Sequence, residues 1–490
     1  MKLESILNIG SNYISKFGNR AITGIIAIII IDSLSKTDYG IYTFFTSMLV
    51  FFYILSTIGI RSALRRFVPQ FSIKINPFRI YSILFPIILS LNVFWLMIIY
   101  TLYYFNPDLF NIENFGYYIL IFSGVIIFQV QNQIIDILFK AFLLHRIVNF
   151  ILLAILFTKL LLLSVYLGDV LTIEILFILD FGLYFIYYIV VLFLLKRRKI
   201  SKKKSTSLEK KILKSKQFRQ FSAWSFLQES GGSVLDVSMD IIIISVLLSE
   251  LDMANYGFAT KIISLLFLVI PTATLHDYIN PIVFKKYSEK NDNIFLGNMF
   301  SLLNKISLIF AIPICVFILF FSKEYLIYFF DGKYKEVSFL LILICTFQLF
   351  NTFQYSISTV LNAIKQVKYF TYVRIFAVYN IIMDIVLIKF IGIEGAAIAT
   401  GTTIMFSNIY LFIMAKKYIS IDFRYLDFLK IFIAFIPLIL ITNLLIYFNA
   451  NVISTAILFS LATIFMLLYI FKTNNIITLT DKKLLKILMN

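Results

Sequence analysis

Long apolar windows fill this chain, and short polar segments separate them. A helix needs about 20 apolar residues to cross the hydrocarbon core of a bilayer. Windows of that length run over 13–33, 39–60, 80–104, 116–138, 147–167, 171–195, 220–248, 254–276, 299–321, 337–360, 369–389, 395–415, 427–448 and 451–471. The strand-like alternation of period two that marks a membrane barrel is absent. The pattern predicts an all-α integral membrane protein with about 14 transmembrane helices.

Composition strengthens that picture. The chain is 60% hydrophobic and only 14% charged, with a mean hydropathy of +0.92. Soluble domains run nearer 45–50% apolar and about 25% charged. The two cysteines, Cys315 and Cys345, both sit in apolar runs. There they read as buried free thiols, with no disulfide framework or metal site expected. No cleavable signal is expected in the short polar stretch Met1–Asn12.

The net charge of +18 changes meaning once it is located. Cations concentrate in alternate loops: Arg61, Arg65, Arg66, Lys74 and Arg79, then Lys140 and Arg146, then Lys285, Lys286 and Lys290. Lys365, Lys368, Lys416, Lys417 and the tail lysines continue the series, while the intervening loops carry Asp38, Asp108, Glu113, Asp169, Glu250 and Asp252. Positive loops face the cytoplasm, and one missed helix would invert the alternation from that point onward. The sequence therefore predicts a multi-pass protein of the inner, cytoplasmic membrane with both termini in the cytoplasm. Nucleic acid is not an expected partner.

One linker is substantial. Residues 196–219 hold twelve lysines and arginines against the single acid Glu209. A basic stretch beside a membrane fits anionic lipid headgroups, at about 1 kcal/mol per cation; a cytoplasmic assembly protein is the other candidate partner. The linker divides the chain into an amino-terminal lobe of six helices (1–195) and a second of six (220–416), followed by two extra helices and a tail (417–490). Leu34-Ser35-x-x-Asp38 then Tyr39-Gly40 recurs as Leu248-Ser249-x-x-Asp252 then Tyr256-Gly257. That is a parallel repeat, which predicts two lobes related by a pseudo-two-fold axis along the membrane normal.

Several of these residues carry a resemblance. Asp38-Tyr39-Gly40-Ile41-Tyr42, Ile58-Gly59-Ile60, Arg65-Arg66-Phe67-Val68-Pro69, Val360-Leu361-Asn362-Ala363 and Gly392-Ile393-Glu394-Gly395-Ala396-Ala397-Ile398-Ala399-Thr400 resemble the polysaccharide-transporter branch of the multidrug/oligosaccharidyl-lipid/polysaccharide exporter superfamily, the Wzx-type flippases in particular. The resemblance implies translocation of polyprenyl-diphosphate-linked oligosaccharide from the cytoplasmic to the outer leaflet, for O-antigen, lipopolysaccharide or similar surface polysaccharide assembly. Independently of it, Gly395-Ala396-Ala397 and Ala399 line one helix with small side chains, which permits close helix packing.

Ionisable groups inside spans cost several kcal/mol and need a reason. Lys16 and Arg20 lie four apart on the first helix; Lys261 and Arg374 lie at depth on the eighth and eleventh. These four are the expected substrate-binding cations, Arg20, Lys261 and Arg374 holding phosphate and Lys16 standing at the entrance of a central cavity. Glu229, Asp236 and Asp240 on the seventh helix, spaced seven and four, are expected on one face opposite the first helix. They pair with its cations or carry a coupling ion. Lys159, Asp136, Asp180, Asp277 and Asp384 read as structural.

An enzyme is not expected. The chain has no phosphate-binding loop of the Gly-x-x-x-x-Gly-Lys type, and His145 and His276 lie at span edges outside any catalytic pairing. No catalytic residue, cofactor or metal is assigned. A cation-coupled multidrug exporter of the same superfamily, or a membrane enzyme of polysaccharide assembly, are the alternatives.

Overall fold

A computed structural model describes residues 2–71, 75–142, 144–166, 171–197, 207–420, 425–447, 451–473 and 476–489; side chains of residues 2–17 lie outside the description. The chain forms two compact units, Met1–Ala254 and Asn255–Asn490. The first holds α1 (Lys2–Ser33), α2 (Lys36–Thr57), α3 (Ile60–Phe67), α4 (Pro77–Phe105), α5 (Phe115–Ala141), α6 (His145–Ser164), α7 (Ile173–Arg197), α8 (Ser207–Lys214), α9 (Lys216–Val234) and α10 (Val237–Leu247). The boundary falls inside α11 (Glu250–Phe267). The second unit continues with α12 (Pro271–Lys290), α13 (Asn293–Phe329), α14 (Ser338–Ala363), α15 (Lys368–Tyr372), α16 (Phe376–Ile391), α17 (Ile393–Lys416), α18 (Tyr425–Ala434), α19 (Ile436–Tyr447), α20 (Val452–Lys472) and α21 (Leu479–Met489).

Every apolar window of the sequence lands on helix. Among the described residues, ten helices are long and apolar enough on their own to cross a membrane. An eleventh crossing, α9 with α10, is bent by 59° at its break. The remaining three windows fall on α1, α11 and α15–α16, where charges or a break interrupt the apolar run: α11 begins with Glu250 and Asp252, and a 3-10 turn over Val373–Ile375 separates α15 from α16. Large apolar side chains such as Phe105, Leu120, Phe390, Phe465 and Leu468 are exposed. A surface of that kind requires a hydrocarbon solvent.

The repeated Ser-x-x-Asp sequence has a local cause. Ser35 caps α2, its hydroxyl accepting from the Asp38 amide at 3.0 Å. Ahead of α11, Ser249 Oγ accepts from the Asp252 amide at 3.3 Å and donates to Asp252 Oδ2 at 2.6 Å. Both are N-terminal caps with an acid three residues on, the arrangement that satisfies the first orphan amides of a helix. The glycine after the first cap serves packing: a Cβ on Gly40 would lie 2.0 Å from the Glu250 carbonyl oxygen.

The core of the first unit is aromatic. Phe44 and Phe45 of α2 meet Phe115 and Phe122 of α5 and Phe177 of α7, all fully buried. In the second unit α13 is the central post, 37 residues and hence about 55 Å long at 1.5 Å per residue. Helices α18–α20 pack on one stretch of it through Phe428, Phe435 and Phe459, and α21 adds Leu484 and Leu488 to the core around Leu296, Phe300 and Val360. Close packing of α16 on α17 rests on the small-residue stripe: a Cβ on Gly395 would sit 2.4 Å from the Leu387 carbonyl carbon.

The basic linker is described only from Ser207. There α8 packs on α4 and α9, and Glu209, its one acid, is buried and accepts from the Asn76 amide at 3.1 Å. Lys210, Lys211, Lys214, Lys216 and Arg219 are left exposed.

Candidate functional site

The four expected cations divide between the units. Arg20 lies exposed on α1, whose Gly18 packs against Leu153 of α6; the Lys16 side chain lies outside the described residues. Lys261 on α11 and Arg374 in the Val373–Ile375 turn are half-buried in the second unit. The Arg374 Nε is enclosed and makes no hydrogen bond.

The acids of the seventh span do not form the single stripe expected of them. Gly231 and Gly232 weaken the helix, α9 ends at Val234, and Asp236 is the N-cap of α10, accepting from Ser238 N at 3.0 Å and Ser238 Oγ at 2.8 Å. With the helix broken and bent by 59°, the face-sharing rule that requires a continuous helix no longer joins Glu229 to Asp236 and Asp240. Glu229 instead accepts from Ser62 Oγ of α3 at 2.5 Å and lies beside Arg61. Burial lowers the Arg61 pKa, and the Glu229 carboxylate opposes that shift. Asp236 is exposed, and Asp240 is fully buried where α10 packs on α2. The α3–α9 seam is tight because Gly59, at φ +68°, admits no side chain: a Cβ would fall 2.0 Å from the Ser222 carbonyl oxygen.

Residues read as structural from sequence line a polar site in the first unit. A cavity of about 220 Å³ between α5, α6 and α7 is lined by Gln129, Asn132, Gln133, Asp136, Lys159, Asp180, Tyr184 and Tyr187. Lys159 and Asp180 form a buried ion pair. Tyr187 donates to Asp136 at 2.6 Å, and Asn132 donates its amide N–H to the Tyr184 carbonyl at 3.0 Å. The i, i+3, i+4, i+7 spacing of Gln129, Asn132, Gln133 and Asp136 was the available signal.

The second unit buries a smaller cluster. Asn380 donates to Asp384 Oδ2 at 2.6 Å and accepts from Thr400 Oγ1 at 3.3 Å, joining α16 to α17. His276 faces the Ser358 hydroxyl at 3.0 Å. Cys315 and Cys345, on α13 and α14, are free thiols with sulfurs 3.0 Å apart. Lys305, which falls inside an apolar window and escapes notice in the sequence, is 2% exposed and bonds Asp481 of α21 at 3.0 Å and the Ile476 carbonyl at 3.3 Å. These arrangements hold charged and polar groups inside helical bundles.

Comparison with known proteins fits this picture. A family described as polysaccharide biosynthesis protein matches residues 33–339. The chain belongs to that family. A curated relative, the probable low-salt glycan biosynthesis flippase Agl15 of Haloferax volcanii, is 25% identical over 225 residues, covering 45% of this chain and 46% of that protein. The chain thus spans about half the length of the curated relative it matches. Among solved structures, lipid II flippase MurJ in an inward closed conformation aligns with a TM-score of 0.64 at 18% identity, covering 94% of this chain and 98% of that one. An inward-facing multidrug resistance MATE family transporter of the MOP superfamily aligns at 0.63 and 14% identity, over 82% of this chain and 94% of its own. The chain therefore shares the fold of these two structures.

Proposed function

We propose that this protein is a flippase that carries a polyprenyl-diphosphate-linked oligosaccharide from the cytoplasmic to the outer leaflet for surface polysaccharide assembly. The observation that carries the reading is the family match over residues 33–339, and the Agl15 relative, itself named as a glycan biosynthesis flippase, supports it. The fold is shared by lipid flippases and drug exporters alike, so the fold alone does not choose between them. Translocation is a binding and release cycle, for which the cations, not a covalent catalyst, are the working groups.

In this reading Arg20, Lys261 and Arg374 recognise the diphosphate, Lys16 stands at the entrance, and the two six-helix lobes alternate access. Both termini and the 196–219 linker face the cytoplasm, where the exposed lysines of α8 meet anionic headgroups. The test is reconstitution in liposomes with a fluorescent polyprenyl-diphosphate oligosaccharide and, in parallel, a cationic drug. Protection of the sugar lipid from an external reductant at a rate set by the protein is the expected result; movement of the drug alone would assign multidrug export. Arg20→Ala should lower sugar-lipid flipping at least 10-fold with unchanged folding. Arg20→Lys should recover it only in part, because a point charge cannot fork onto two phosphate oxygens.

A further inference from the structure

The chain has two cysteines, and the fold brings them together. Cys315 of α13 and Cys345 of α14 are free thiols whose sulfurs stand 3.0 Å apart. The Cys315 sulfur also lies 3.7 Å from the Cys345 carbonyl oxygen. Their meeting follows from the register of the hairpin that α13 and α14 form. The two cysteines lie fifteen residues either side of Phe330, at the turn where Asp331 (φ +48°) and Gly332 (φ +76°) reverse the chain. Eleven residues farther along both helices the same register joins Ser356, which donates to Asn304 in the buried seam. Eleven residues make about three helical turns, so both pairs lie on the same face of each helix.

A disulfide bond is about 2.05 Å long, so the sulfurs need to approach by about 1 Å. Helix α13 can yield that much. Pro313 sits two residues ahead of Cys315, and a proline inside a helix removes the hydrogen bond to the carbonyl four residues back, which lets the helix bend there. The thiols differ in access. Cys345 is 1% exposed, whereas Cys315 is partly open and stands one turn from Leu319, which is 53% exposed. A small uncharged oxidant dissolved in the bilayer therefore meets Cys315 first, with Cys345 behind it. The flanking residues are Ile314, Val316 and Ile344, so proximity of the second sulfur, not a cation-activated thiolate, carries the reaction.

We propose that Cys315 and Cys345 are a redox modification site: hydrogen peroxide oxidises the pair to an intramolecular disulfide that ties α13 to α14. The Cys315 sulfur attacks one peroxide oxygen, the O–O bond breaks, and a sulfenic acid and one water result. The Cys345 sulfur then attacks the Cys315 sulfur. The S–S bond forms as the S–O bond breaks, and the leaving hydroxyl takes the Cys345 proton to become a second water. The two thiols lose two electrons and the peroxide gains them. Along the helices Cys315 lies about 12 Å from Lys323 and Cys345 about 10 Å from Ser338. That end is the one the proposed topology puts outside, the side on which disulfides persist. The pairing itself depends neither on that topology nor on what the chain transports.

The test uses the full-length protein in detergent. Treated with hydrogen peroxide, denatured and then exposed to a maleimide carrying polyethylene glycol, it should take up no label; treated with dithiothreitol instead, it should take up two. The intact mass should fall by two hydrogens on oxidation, and a digest should yield the Cys315 and Cys345 peptides linked. Cys345→Ala should trap the intermediate, leaving Cys315 as a sulfenic acid that a cyclic dione captures. Cys315→Ala should leave Cys345 as a single labelled thiol. Oxidation should also raise the melting temperature by about 3 °C, as closing a loop of this length does, and neither alanine variant should show the shift. Two labels after peroxide, a mass raised by added oxygen, or a disulfide found only between two chains overturns the site.

Discussion

Among the described residues each unit buries a lysine–aspartate pair, and the two are set in different surroundings. Lys159–Asp180 joins α6 to α7 beside a 220 Å³ cavity lined also by amides, tyrosines, a second acid and the aliphatic chains of Leu152, Ile155, Leu156 and Leu183. Lys305–Asp481 joins α13 to the last helix, with 2% and 4% exposure, and sits between the packed chains of Leu303, Ile306, Ile476 and Ile477. The first pair has polar neighbours able to take over a partner's role; the second has the Ile476 carbonyl and the Thr478 cap, which donates to Asp481 from its amide at 3.0 Å and its hydroxyl at 2.8 Å. The same two residue types thus stand beside a partly polar cavity in one unit and in a packed apolar seam in the other. What surrounds an ion pair decides what losing one partner costs, since a buried charge left uncompensated is strongly destabilising.

The largest expected effect tests Lys305–Asp481 as the anchor of the last helix. Lys305→Met strands the Asp481 carboxylate and should cost about 3–5 kcal/mol, read as a lower melting temperature in detergent. Lys305→Met with Asp481→Leu should recover most of it, because a well-packed apolar pair replaces the ionic one without desolvation. A double variant as unstable as the single one would remove the anchor role.

The matched change in the other unit should hurt less. In Lys159→Met the Asp180 carboxylate still borders a partly polar cavity, so the loss should be about 1–3 kcal/mol. Equal losses from Lys159→Met and Lys305→Met would erase the distinction between the two pairs.

A third acid sharpens the contrast from outside both sites. Asp236 caps α10 from an exposed position, so Asp236→Ala should cost about 1 kcal/mol and Asp236→Asn almost nothing, asparagine being as good a cap. Transport lost in Asp236→Asn at unchanged stability would return this residue to the ion-coupling role that its spacing first suggested.

Much of this was legible in the order of residues. Fourteen apolar windows all fall on helices, and the repeated Ser-x-x-Asp motif is a pair of helix caps, because windows and caps are local and each is satisfied within one or two turns. The close approach at Gly395 was equally readable, since small residues at helical spacing have few other uses in a bilayer. The site residues were less so. Lys305 hides in an apolar window, and its partner stands 176 positions later.

The sequence by itself determined that this is a helical membrane protein, where its helices run, and which family it joins, all from hydropathy, capping and short motifs. Only the tertiary structure decided which charges meet. It broke the seventh span at Asp236, gave Glu229 to Ser62 and Arg61, and gathered Asp136, Lys159 and Asp180 from three helices around one cavity. Spacing fixes a side chain's direction only along an unbroken helix. The partner of a buried charge is set by packing between helices, where a carboxylate takes whichever donor the fold brings within about 3 Å.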